Sequence, residues 1–189
     1  TLLATSTRSK IMKIVFFIIT LACSLISITS YAQPLPSVNI KSVALTNYAN
    51  TQQHIYTAGQ PSKEQFQQLA KQGIKYVINL RGDGENNWDE QALVTNLGLQ
   101  YFSLPISSRA DINIENAKKL QQLLAQASES PTLLHCASGN RVGALIALYN
   151  AIELNQPIEK AIETGKQWGL QGLEPVVRDA IATYKIKEH

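Results

Sequence analysis

The residues best suited to chemistry in this chain stand together as His135-Cys136-Ala137-Ser138-Gly139-Asn140-Arg141. Leu133 and Leu134, after Pro131 and Thr132, read as the end of a short buried strand. Residues 142–152 (VGALIALYNAI) read as a helix with one thick apolar face. A cysteine thus sits where a strand stops, a tight loop turns and a helix begins. Successive N–H groups of such a loop, with the helix N-terminus behind them, form a concave positive site for an anion. That field favours the thiolate, the nucleophilic form of a cysteine. Arg141 closes the loop with a planar fork of donors suited to a tetrahedral oxyanion. The arrangement predicts covalent cysteine chemistry on an anionic group. The opposing reading makes Cys136 a small buried hydrophobe. Its place outside the apolar run, between a histidine and a glycine turn, favours the nucleophile.

The elements needed to position that loop can be followed along the chain. Residues 38–45 are a possible strand, and the polar stretch 47–53 carries little signal. Residues 54–58 (HIYTA) read as a strand stopped by Gly59-Gln60-Pro61. Ser62, with Gln65 three residues on, makes a capping box for a helix that presents Phe66, Leu69 and Ala70 and ends at Gly73. Residues 74–80 (IKYVINL) are the strongest strand, followed by a loop at 81–87. Asn87 and Glu90 suggest a second capping pair, opening a helix that ends before Gly98. Residues 99–106 read as a strand and 114–127 as a helix capped by Asn113, with Ala117, Leu120, Leu123 and Leu124 on one face. A helix opened by Pro157 and another over 174–185 complete the chain. Short strands alternating with helices predict an α/β three-layer sandwich, its short and mostly parallel central sheet flanked by helices. Ligands in such sheets bind at the carboxyl ends of strands. The loops 81–87, 105–112 and 136–141 would converge there.

The segment HCASGNR resembles the phosphate-binding loop HCxxGxxR of cysteine-dependent protein phosphatases. Together with Gly59-Gln60-Pro61-Ser62 upstream, it is most similar to a bacterial phosphatase-like family, the beta-lactamase-hydrolase-like proteins, over about residues 54–150. The resemblance implies a cysteine-phosphatase-like fold and hydrolysis of a phosphate ester through a cysteinyl-phosphate intermediate. It implies Cys136 as nucleophile, Arg141 as phosphoryl clamp, and the loop residues Ala137, Ser138, Gly139 and Asn140, together with His135, as substrate-binding. His135 would organise the loop by hydrogen bonding. The sequence departs from the pattern in three places. Four residues separate Cys136 from Arg141 where the phosphatases have five. Val142 replaces a Ser or Thr whose hydroxyl supports the departing thiolate. Ser107 and Ser108 stand where the general acid is an Asp. Asp111 is the nearest carboxylate and the first candidate for that acid, with Asp83 and Glu85 as runners-up and no acid at all as a further alternative. The Cys-x4-Arg spacing is also that of many single-domain rhodaneses. A sulfurtransferase and a non-catalytic binder of phosphate or sulfate groups therefore stand as alternatives.

From Met12 the chain carries Lys13, an apolar run over 14–22, serines, and Ser30-Tyr31-Ala32 before Gln33. This is the pattern of an export signal cleaved after Ala32, with residues 1–11 upstream of it. The expected product is one domain, 33–189, in the periplasm or outside the cell, with no membrane attachment after cleavage. About 157 residues suffice for one sizeable core. Cys136 would then be the sole cysteine, which excludes a disulfide framework and makes an unpaired thiol in an oxidising compartment purposeful. The net charge of +3 includes basic residues of the leader, so no nucleic-acid partner is expected. The three histidines show no metal-ligand spacing and no glycine-rich nucleotide motif appears, so neither metal nor cofactor is expected. The expected partner is a phosphorylated or other oxyanion substrate.

Overall fold

A computed structural model describes residues 38–187. The leader expected over 12–32 lies outside these residues. Five strands form one sheet in the order β1-β2-β5-β3-β4. They are β1 Ala49–Gln52, β2 Ile55–Ala58, β3 Tyr76–Asn79, β4 Gln100–Ser103 and β5 Thr132–His135. Only β1 runs antiparallel to its neighbour; β2, β5, β3 and β4 are parallel. The helices are α1 Lys63–Lys71, α2 Glu90–Asn96, α3 Ile114–Ala127, α4 Asn140–Ile152, α5 Ile158–Gln167 and α6 Glu174–Lys187. No helix among the described residues is long and apolar enough to cross a membrane.

Two-residue periodicity in the central strands divides the core into two layers. Val77 and Leu133 join Phe66 and Leu69 of α1 and Val94 of α2 on one face. Ile78 and Leu134 point to the other face, toward Leu120 of α3, Leu145 and Leu148 of α4, Ile162 of α5 and Ile181 of α6. Strand β5 is buried on both sides, as its unbroken Thr-Leu-Leu-His burial shows. Its last residue, His135, aligns with Ala58 of β2 and Asn79 of β3. The chain leaving these three strands must therefore meet at one rim.

Helix α4 is where packing overrides surface convention. It is buried almost all round and crosses α5 at a pair of glycines. A Cβ on Gly143 would lie 2.1 Å from the Leu170 amide nitrogen and 2.4 Å from the Gly165 carbonyl. This close crossing holds the start of α4, and hence the loop before it, against the 165–170 segment.

Several boundaries differ from those read in the sequence. Residues 38–45 contain no strand; Ile40–Val43 form a 3-10 turn that buries Ile40 and Val43, a helical spacing of three, and ends at left-handed Ala44 (φ 52°). The edge strand lies instead in the polar stretch, at Ala49–Gln52, where one face is half-buried and the other open. Helix α2 starts two residues later than the Asn87 cap implies, because Asp89 accepts from the Ala92 amide (2.8 Å). Strand β4 stops at Ser103, although Leu104 and Ile106 still donate to Asn79 and Leu80. Helix α4 begins at Asn140 rather than Val142, so Arg141 lies in its first turn. The Ser62–Gln65 capping box and the Asn113 cap form as read.

Candidate active site

Cys136 follows β5 directly, and its loop turns into α4 at Gly139, which adopts φ 84° as the helix N-cap. That left-handed conformation suits glycine. It also aims the Gly139 amide back at the thiol, with N–H donating to Cys136 Sγ at 3.1 Å. Cys136 is 1% exposed. The sulfur thus has a backbone donor although the side chain lies within the apolar core between the sheet and α4. The loop is braced from behind. Gln60 N–H donates to the Ala137 carbonyl (3.1 Å) and Asn47 Nδ2 to the Ser138 carbonyl (3.0 Å). With those carbonyls engaged on the outer side, a Cβ on Gly59 would reach 2.9 Å from the Ala137 oxygen.

Arg141 is held by Glu85. Nη1 donates to Oε1 at 2.7 Å and Nη2 to Oε2 at 3.0 Å, with Nη1 also 3.4 Å from the Leu80 carbonyl. A guanidinium has five N–H groups on a rigid plane. Glu85 takes the Nη1–Nη2 end and Leu80 the outer Nη1 hydrogen. This leaves the Nε–Nη2 edge, a second two-donor fork, for another oxyanion. Burial pushes the Glu85 carboxyl up, but hydrogen bonds from Arg141 and Gly82 and the charges of Arg141 and Arg81 outweigh it and hold it below the ordinary value. Arg81 Nε stands 3.3 Å from Glu85 Oε2, close enough for charge attraction but outside hydrogen-bonding geometry. Arg81 also donates to the Glu85 carbonyl and, at 2.7 Å, to Gln60 Oε1. Glu85 thus anchors two arginines, and their contacts favour its ionised form over the acid.

The three loops converge as expected. Arg141 lines a small cavity of about 120 Å³ with Ile106, Ser107, Ser108, Arg109, Ile112 and Leu173. Gly82 packs against Ser107 so closely that a Cβ would meet its Oγ at 2.4 Å. Asp111 does not face this cavity as an acid. Its Oδ2 accepts from the Ser107 amide (3.0 Å), the Ser108 amide (2.7 Å) and the Ser108 hydroxyl (2.9 Å), capping the 3-10 turn Arg109–Asp111. The Ser108 hydroxyl first, then these amides, hold its carboxyl below the usual range. Asp83 is exposed in the 81–87 loop. Asn140, in the first turn of α4, accepts through Oδ1 from the Gln171 and Leu173 amides (2.8 and 3.4 Å) and ties the 171–173 segment to the loop. Val142, fully buried, offers no hydroxyl.

Two residues to which the sequence assigned no part in the chemistry lie beneath the site. Glu90 was read as a capping partner, yet its carboxylate turns inward and contacts His135 Nε2 at 3.0 Å. Gln60 was noted only as part of a tetrapeptide. The usable signal was that Gly-Gln-Pro-Ser ends the strand next to β5. Among the described residues no group of three or more His, Cys, Asp or Glu side chains could hold a metal.

A cysteine at the end of the central parallel strand, a glycine-turned loop onto a helix N-terminus and an arginine in that helix's first turn define the cysteine-dependent phosphatase class of α/β domain. The chain belongs to the family described as DSP-PTPase phosphatase fused to NAD+ kinase, whose model matches residues 33–174. It is 35% identical over 101 residues to the beta-lactamase hydrolase-like protein of Xylella fastidiosa, covering 51% of this chain and 23% of that protein. The chain thus matches about a quarter of that relative's length. It is 29% identical over 148 residues to the dual specificity protein phosphatase TpbA of Pseudomonas aeruginosa, covering 78% of this chain and 62% of TpbA. Among solved structures, TpbA in complex with phosphotyrosine superposes with a TM-score of 0.52 at 20% identity, over 77% of this chain and 86% of that one. The core catalytic domain of the PP-IP phosphatase SIW14 from S. cerevisiae gives 0.58 at 18% identity, over 76% and 90%. These structural likenesses establish the fold.

Proposed function

We propose that the chain is a cysteine-dependent phosphomonoesterase that works through a phosphocysteine on Cys136. The observation that carries this reading is the Gly139 N–H aimed at Cys136 Sγ, in a loop whose arginine is held by Glu85 through Nη1 and Nη2 with no partner on Nε among the described residues. In the first step the thiolate sulfur attacks phosphorus and the ester P–O bond breaks, its electron pair leaving with the alkoxide or aryloxide. Arg141 and the loop amides stabilise charge on the equatorial oxygens. In the second step water attacks phosphorus, the S–P bond breaks and thiolate is restored.

Two features bear on rate. Asp111 is ionised and committed to Ser107 and Ser108, so the leaving oxygen takes its proton from solvent unless the 105–112 loop rearranges. Substrates with good leaving groups are therefore favoured. With Val142 in place of a hydroxyl, departure of the thiolate in the second step lacks support. TpbA's complex with phosphotyrosine supports an aryl phosphate as the substrate class. The leader-like segment 12–32 supports export to the periplasm, to be checked by mass spectrometry for a mature N-terminus at Gln33. A sulfurtransferase is the second reading, because the Cys-x4-Arg spacing is rhodanese-like.

Mature protein assayed with p-nitrophenyl phosphate, and in parallel with thiosulfate and cyanide, separates the two. The reading expects phosphate release that Cys136→Ser abolishes. Thiocyanate formation without phosphate release would overturn it.

A further inference from the structure

Glu90 is 4% exposed, in the first turn of a seven-residue helix on the face of the sheet opposite α4. Burying a carboxylate is costly unless every lone pair finds a donor. Here both oxygens do. Oε1 meets His135 Nε2 at 3.0 Å, while Oε2 accepts from Gln60 Nε2 (2.5 Å) and Asn86 Nδ2 (2.9 Å). Burial raises the Glu90 carboxyl, but these bonds, His135 foremost, outweigh it, and the group is ionised.

The three donors come from the chain leaving β2, β3 and β5, the three central strands. Each of those segments is also bonded to the anion loop or its arginine. Gln60 donates its backbone N–H to the Ala137 carbonyl, and its side-chain oxygen accepts from Arg81. Leu80, the first residue after β3, donates to the His135 carbonyl (2.8 Å) and accepts from Arg141. His135 precedes Cys136 in the chain. Its ring is fixed at one end by Glu90 and packed edge-on against Phe66, 5.8 Å between centroids, while Nδ1 has no partner among the described residues. An ionised acceptor beside Nε2 requires a proton on that nitrogen. A buried ionic cluster is a weak stabiliser compared with apolar packing, so stability alone gives little reason for it.

We propose that Glu90 is a positioning residue: by fixing His135 and Gln60 from beneath, it sets the geometry of the loop that carries Cys136. The inference rests on the phosphatase reading for its kinetic test, though not for its structural one. Glu90→Gln keeps the shape but puts an amide donor against Gln60 and Asn86. It should lower kcat on p-nitrophenyl phosphate at least tenfold with KM changed less than threefold. Alkylation of Cys136 by iodoacetamide should change severalfold in rate, and 15N-histidine spectra should lose the protected Nε2–H of His135. Gln60→Ala, at a half-buried position, should show a smaller fall of the same sign and decides the matter if Glu90→Gln does not fold. A folded variant with unchanged kcat, unchanged alkylation and an unchanged imidazole signature overturns the proposal. If wild-type protein hydrolyses no aryl phosphate, the phosphatase reading fails, and the alkylation and imidazole readouts still judge Glu90.

Discussion

Glu85 and Arg141 form an end-on, two-point ion pair, 2.7 Å from Nη1 to Oε1 and 3.0 Å from Nη2 to Oε2, across 56 residues of sequence. The pair turns the guanidinium so that the carboxylate holds one edge and the adjacent edge stays open. A crystal grown in sulfate should therefore show the anion on the Nε–Nη2 edge of Arg141, over Cys136, with Glu85 still in place. Sulfate bound where Glu85 sits, with that side chain swung out, would mean the carboxylate competes with substrate instead of orienting its receptor.

Because the Glu85 carboxyl is depressed in the folded state, its pair contributes stability that is present above the unfolded carboxylate value, about 4.3, and is lost as pH falls through the lower folded one. Thermal melts of wild type and Glu85→Gln should differ most near neutrality and converge as the pH is lowered through that range. A difference that grows with acidity would contradict the assigned sign. Arg141→Ala should lower kcat/KM on p-nitrophenyl phosphate at least tenfold, since one lost oxyanion donor costs about 2.7–4 kcal/mol.

Asp111 caps the turn it sits in. Asp111→Asn should leave kcat on p-nitrophenyl phosphate within about twofold of wild type, a leaving group that needs little proton donation. A fall of more than tenfold with this substrate would show that the 105–112 loop rearranges to deliver an acid.

The start of the site was legible in sequence because it is local: strand, cysteine, glycine turn and helix follow one another without a break. Sheet layers were legible for the same reason, since Val77-Ile78 and Leu133-Leu134 alternate between faces. What escaped were residues whose role depends on distant partners. Glu85 reads as one more loop acid until Arg141 is brought to it. Glu90 matches a capping pattern that Asp89 fulfils instead, releasing its carboxylate to turn under the sheet rim. Residues 49–52 form an edge strand from polar side chains because pairing with β2 needs backbone, not hydrophobicity.

The glycine crossing beneath the loop is a stability prediction. Gly143→Ala places a methyl 2.1 Å from the Leu170 nitrogen, and both neighbours are backbone that cannot rotate away. Overpacking of this kind costs about 1–3 kcal/mol. Urea unfolding should show a lower midpoint with an unchanged slope; an unaltered midpoint would mean that α4 and α5 can separate freely.

The absent hydroxyl at Val142 predicts that the second chemical step is the slower one. Rapid mixing with p-nitrophenyl phosphate should give a burst of p-nitrophenol near one equivalent of enzyme, followed by slow turnover. Val142→Ser should speed the slow phase if its added hydroxyl is tolerated at this buried position.

That burst identifies the measurement closest to the central claim. Protein quenched in acid during turnover and digested should yield the peptide containing Cys136 with one added phosphoryl group, released on mild treatment as inorganic phosphate, and Cys136→Ser should yield none. Phosphate release that proceeds with Cys136 unmodified throughout, or that survives its replacement, would contradict the account.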